Sequence, residues 1–194
     1  FFPSGPQLPD FDSMVVKGSY HPSAPIHCAL SNASSFPDTQ TLLVTPSRES
    51  ISSALQNYND DWIVRHSGEG NVLDLSSRIT VLYPPSPAHF SFLMSMLSID
   101  DNLSSINVAT TLVRPPSLLI LHELSAYFYP DFEANPSEPL EPRIPPSYTL
   151  PSLILFDSHL DHLKLPILKH PSAGSKRPAS KLENVAFFVQ KYFD

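Results

Sequence analysis

The sequence predicts an α/β fold of three layers around a mainly parallel sheet. Two observations carry this expectation. Short apolar runs alternate with segments of helical character over residues 14–128. Strands separated by helices need crossover connections, and crossovers make neighbouring strands parallel. The apolar runs are also continuous, as in "QTLLVT" and "SLLIL". Strands of that kind are covered on both faces.

Residues 1–13 read as an extended, Pro-rich lead-in. Met14–Val16 is a short buried strand, and Pro25–Ser34 a helix with proline tolerated in its first turn. Gln40–Thr45 is the second strand. "PSRESISSALQNYNDDWIV" follows as a helix, with Ser47 as its cap and Ile51, Leu55 and Tyr58 on one face. Trp62, beside Asp60 and Asp61, is expected to cover the end of that helix. "RITVLYPPS" is the third strand, closed by two prolines. "PAHFSFLMSMLS" is an apolar helix whose Met94–Met96 stretch is expected to pack in the core. "PPSLLILHELSAYF" holds the fourth strand. Residues 129–150 form a Pro/Glu-rich loop without periodicity. Leu153–Phe156 reads as a fifth strand or as the start of a helix, a choice periodicity leaves open for so short a run. Residues 170–180 are a basic loop. "SKLENVAFFVQKYFD" reads as a final helix, with Ser180 as cap and Glu183 at the capping-box position.

Composition narrows the function classes. The 194 residues suit a single domain, 1–194, with 41% hydrophobic residues to build a core. Proline is abundant at 22 residues and glycine scarce at 5, leaving little freedom for positive-φ catalytic loops. The net charge of −7 opposes strong binding to nucleic acid, which depends on Lys and Arg neutralising phosphates. Lys176, Arg177 and Lys181 form the one basic cluster and are the candidate DNA contacts. Cys28 is the only cysteine, so no intrachain disulfide forms and a reducing compartment is the simpler reading. On a core helix it is a small buried hydrophobe. No apolar run reaches the ~20 residues of a membrane span. The chain starts Phe-Phe without Met, as a fragment or processed chain would, and the sequons at Asn32 and Asn102 read as chance.

The stretch "KGSYHPSAPIH" (17–27) has the layout of a phosphate-binding loop: strand, glycine, tight loop, helix. A working loop reads G-x-x-x-x-G-K-[ST], with backbone N–H groups around the phosphates, a lysine on the terminal phosphates and a hydroxyl on Mg²⁺. Counting from Gly18, the last three places hold Ser23, Ala24 and Pro25. The lysine is gone, and proline replaces the hydroxyl and removes an N–H donor. Lys17 precedes the loop and points the wrong way to replace the lysine. A plain strand-to-helix loop is the competing reading. At the end of the fourth strand, where a nucleotide-hydrolysing enzyme carries an acid, stand His122 and then Glu123. Glu123 is expected on the opposite side of the strand from His122.

"TQTLLVTPSRESISSAL", "SSRITVLYPPSPAHFSFLMSML" and "PPSLLILHELSAYF", in that order, resemble the RecA-like recombinase paralogs. Within that family they are most similar to the small paralogs associated with SWIM-domain proteins in Shu-type recombination complexes. The resemblance covers about 14–129 and, loosely, 181–194. It implies a RecA/P-loop-like core with a degenerate phosphate loop, at Gly18, Ser23, Ala24 and Pro25, and a vestigial acidic position at His122 and Glu123. It implies no cofactor and no catalysis. It also implies a nuclear subunit of a homologous-recombination and DNA-repair mediator complex, a SWIM-domain or recombinase-family partner, and single-stranded DNA met weakly or through the complex. The chain departs from the family over 128–151, where a long helix is expected and largely missing. Phe188 and Phe193 are the candidate partner contacts, on the argument that one domain cannot easily bury all the aromatics near its edges.

Two other classes remain. "DSHLDH" sets Asp157, His159, Asp161 and His162 at the spacing of a hydrolase metal motif, with carboxylate and imidazole ligands suited to zinc or iron. The further ligands such a fold needs are scarce downstream, and a polar turn at the sheet edge is the alternative. A pseudo-enzyme scaffold unrelated to DNA is the other class. No G-x-S-x-G elbow marks a serine hydrolase, and the adjacent His27 and Cys28 lack the spatial pairing a thiol nucleophile needs.

Overall fold

The computed structural model describes residues 10–99, 111–112, 114–128, 151–168 and 180–184. In chain order the elements are β1 (Ser13–Lys17), α1 (Ala24–Ser35), β2 (Gln40–Val44), α2 (Arg48–Asn57), α3 (Asp61–His66), α4 (Gly70–Ser76), β3 (Ile79–Leu82) and α5 (Pro87–Met96). They continue with β4 (Ser98–Ile99), β5 (Thr111–Leu112), β6 (Pro116–His122), a 3-10 turn at Leu124–Phe128, β7 (Ser152–Asp157), a 3-10 turn at Leu160–His162, β8 (Lys164–Leu168) and β9 (Ser180–Asn184).

The sheet has five strands in the order β1-β7-β6-β2-β3, all parallel and flanked by helices. The fold is therefore α/β. Continuous apolar runs produce it because both sides of the central strands lose water. In β7, Ile154 and Phe156 pack on the side of α1, while Leu155 packs on the other with Val15, Leu121 and Leu160. On the α1 side they join Cys28, Ala29, Leu43, Leu118 and Ile120. Ile120, Ile154 and Phe156 are wholly buried. Each such side chain contributes roughly 1.5–3 kcal/mol relative to exposure. The run 153–156 is thus a strand, and it lies inside the sheet between β1 and β6.

Asn32 of the first sequon has a structural task. Its amide donates to the Thr41 and Ser117 hydroxyls, each at 2.8 Å, tying α1 to β2 and β6. Asn102 lies outside the described residues.

Three helical expectations need correction. The segment after β2 is not one helix. Ser47 caps α2 by accepting from the Ser50 N–H, but the helix stops at Tyr58, which is 65% exposed. Asn59 then takes φ 22, and the Asp60 carboxylate starts α3 by accepting from the N–H groups of Trp62 and Ile63. A good cap placed mid-segment defeats the periodicity. In α5 no residue is fully buried, and Met96 and Phe92 are exposed, so Met94–Met96 is not core throughout. Ser180–Asn184 is strand β9, antiparallel to β8, and not the first turn of a helix. Ladder bonds to β8 outweigh a local capping pattern there. Residues 185–194, with Phe188 and Phe193, lie outside the described residues.

Candidate functional site

The carboxyl ends of β1, β7 and β6 lie side by side at one end of the sheet, the side on which open α/β sheets bind ligands. The loop from β1 to α1 turns at Gly18, whose φ of 83 lies in the left-handed region. Nothing lies within 4 Å of a Cβ built there. The glycine therefore serves the turn, not a close approach of backbone to another group.

Several of the loop's donors and acceptors are engaged within the chain. Pro22 and Pro25 have no N–H. The Ser23 N–H points to His21 Nδ1 at 3.3 Å, and the Ala24 N–H donates to the His21 carbonyl at 2.8 Å. His21 Nε2 donates to the Tyr58 carbonyl at 2.9 Å, so that nitrogen carries a proton. The Ser23 hydroxyl, buried, donates to Asp60 Oδ2 at 2.5 Å and lies 2.7 Å from His21 Nδ1. His27, one turn into α1, reaches the same Asp60 oxygen at 2.7 Å. Burial works against the charge of Asp60. The Ser23 hydroxyl, the Ile63 N–H and His27 more than offset it and hold the carboxyl well below the usual carboxylate range. A carboxylate of the chain itself thus sits at the start of α1, where a helix favours negative charge.

The second position sits beside the first. His122 ends β6 buried, with Nδ1 3.0 Å from the Thr45 hydroxyl. Burial holds its imidazole below the ordinary value, against the pull of Glu123 and Asp157. Glu123 follows the strand in a left-handed conformation, φ 51. Its carboxylate accepts from the Tyr20 hydroxyl at 2.5 Å and from the Ser158 N–H at 3.1 Å. Tyr20 also packs edge-on to Phe156 and His122, and burial with the Glu123 bond pushes its hydroxyl far up. The two sequence positions are therefore joined, through Tyr20 of the loop, and Glu123 turns toward the loop instead of continuing the strand's alternation.

Lys17 points away from the loop and pairs with Asp161 at 3.1 Å, both partly exposed. The "DSHLDH" groups do not converge. Asp157 is buried at the end of an interior strand, not at a sheet edge, and its oxygens accept the N–H groups of Ser125 and His159. His159 lies 3.7 Å from Glu123 Oε2. Among the described residues no three His, Cys, Asp or Glu side chains are placed to hold a metal ion. Cys28 is buried in the α1 core, and burial pushes its thiol up to about 12. Trp62 stacks on His66 with centroids 4.8 Å apart and tilts against His27, forming a wall beside α1. Lys176 and Arg177 lie outside the described residues, and Lys181 is in β9.

Sequence reasoning missed His21, His27, Asp60 and Tyr20 as partners of the loop. The run "NDDW" does carry a cap signal for Asp60, but nothing local ties it to Ser23, 37 residues earlier. No helix among the described residues is long and apolar enough to cross a membrane. No protein-family model matches this chain, and no curated protein matches it.

Proposed function

We propose that this chain is a non-catalytic RecA-like subunit of a homologous-recombination and DNA-repair mediator complex. It supports assembly of a recombinase filament through contacts with a SWIM-domain or recombinase-family protein, and it acts in the nucleus. One observation carries the non-catalytic part. The loop after β1 follows a strand, turns at a positive-φ glycine and leads into a helix, yet its Ser23 hydroxyl is spent on the chain's own Asp60 carboxylate. Pro22 and Pro25 offer no N–H, and the N–H groups of Ser23 and Ala24 are turned back on His21. A nucleotide phosphate arriving there would meet a negative group instead of a lysine.

The partner role is supported by apolar surface on the described part of the chain. Phe92 and Met96, one turn apart on α5, are exposed, as is Phe128. Exposed apolar patches mark interaction sites. The net charge of −7 favours a protein partner over direct DNA contact.

Co-expression with a SWIM-domain recombination protein tests the proposal. The two chains are expected to co-purify, and the complex to melt above the free chain. Phe188→Asp or Phe193→Asp is expected to break the complex while the free chain keeps its melting behaviour. Failure to associate with any SWIM-domain or recombinase-family protein would refute the partner role.

A further inference from the structure

On the α1 side of the sheet a half-open cavity of about 330 Å³ lies among α1, α3, α4, β2 and β3. Its walls include Leu30, Leu43, Trp62, Val72 and Ile79, and among the described residues no charged side chain lines it. Among the described residues, the hydroxyl side chains lining it are those of Ser67 and Ser76, both on exposed residues. Well-packed interiors hold few voids larger than a water molecule. An apolar cavity of about 150 Å³ stays dry and takes up benzene, so this one has room for a fused pair of rings. Its volume also reaches the lower end of the range of small-molecule pockets, roughly 300–1,000 Å³.

We propose that this cavity is a binding site for a small, neutral, apolar molecule of about the size of a bicyclic aromatic. The lining decides the class. Among the described residues lining it there is no cation to receive an acid and no carboxylate to receive an amine, so a charged ligand would lose its hydration without compensation. Trp62 offers a flat aromatic wall. The outer wall consists of the short helices α3 and α4. In these, Val72 is the only buried residue; Gly68 lies between the two helices and Gly70 opens α4, with nothing within 4 Å of a Cβ built at either. Such a wall yields more readily than the sheet behind it. The site is separate from the β1–α1 loop and stands whether or not that loop binds nucleotide.

Trp62 is the only tryptophan of the chain, so the site carries its own reporter. The probe is naphthalene, titrated into the full chain while Trp62 emission is followed, with calorimetry as a second readout. Saturable one-site binding is expected. Val72→Phe and Ala29→Leu each place new carbon in the cavity and are expected to weaken binding by about tenfold or more, without lowering the melting temperature by the amount an unfolded chain would show. Using two filling variants keeps the test decisive if one folds poorly, and circular dichroism identifies that case. Non-saturable uptake, or binding equally strong in a folded filling variant, would overturn the proposal. Absence of binding to the wild-type chain would do the same, leaving the cavity to an apolar side chain of another protein.

Discussion

Asp60 shows most clearly what single residues do here. Its carboxylate caps α3, accepts the Ser23 hydroxyl and pairs with His27, so three segments depend on it. Asp60→Ala is expected to cost about 1–3 kcal/mol in urea denaturation, the range for losing a cap and leaving polar partners unmatched. Because its folded pKa lies below the ordinary value of 3.8, the ionised group binds fewer protons when folded than when unfolded. Its stabilising contribution is present above pH 3.8 and lost as pH falls toward the folded value. Asp60→Asn should flatten stability against pH in that window. Gly18 makes a different test, because space around it is open and only φ demands glycine. Gly18→Ala is expected to cost about 1–2 kcal/mol, and Gly18→Asn less, since asparagine tolerates the left-handed region better.

At the level of elements, the strands that lose water on both faces were the legible ones. "QTLLVT" and "SLLIL" each became a parallel strand because nothing but burial satisfies a run of that kind, while "RITVLY" forms the half-buried edge strand β3. Ends and breaks were less legible. Tyr58 fits the apolar stripe of α2 yet lies in solvent, because Asp60 captures the chain and restarts it as α3. Ser180–Asn184 carries a capping-box pattern but pairs with β8, a contact that local sequence does not contain. The loop's departures from a nucleotide motif were readable residue by residue. Its actual partners were not, since Tyr20 and Glu123 are 103 residues apart. Ile120→Ala, in the middle of β6, is expected to cost about 2–5 kcal/mol. Phe92→Ser, on the outer face of α5, should stay within about 0.5 kcal/mol of the parent. Equal losses at both positions, measured by chemical denaturation, would show that the α5 face is core and remove its support for a partner surface.

For the whole molecule, pH and charge set the testable behaviour. His122 is held neutral by burial, below its ordinary value of 6.5. The unfolded chain takes up that proton first, so the stability tied to neutral His122 is complete above pH 6.5 and lost as pH falls through the folded value. Melting temperature should therefore begin to fall below about pH 6.5, well before carboxylates titrate, and His122→Gln should remove that first stage. Toward alkaline pH the signs reverse. The raised Cys28 thiol and Tyr20 hydroxyl keep their protons longer when folded, so stability is lost as pH rises above their ordinary values of 9.0 and 10.0. The net charge of −7 predicts weak, salt-sensitive binding of single-stranded DNA by the isolated chain, and tight binding at high salt in fluorescence anisotropy would contradict it.

If the loop after β1 has the shape of a phosphate site without its chemistry, calorimetric titration of the purified chain with ATP and Mg²⁺ is expected to give no saturable heat of binding and no phosphate release above background. Saturable binding or turnover that disappears on substituting Gly18 or Ser23 would show instead that the loop holds nucleotide.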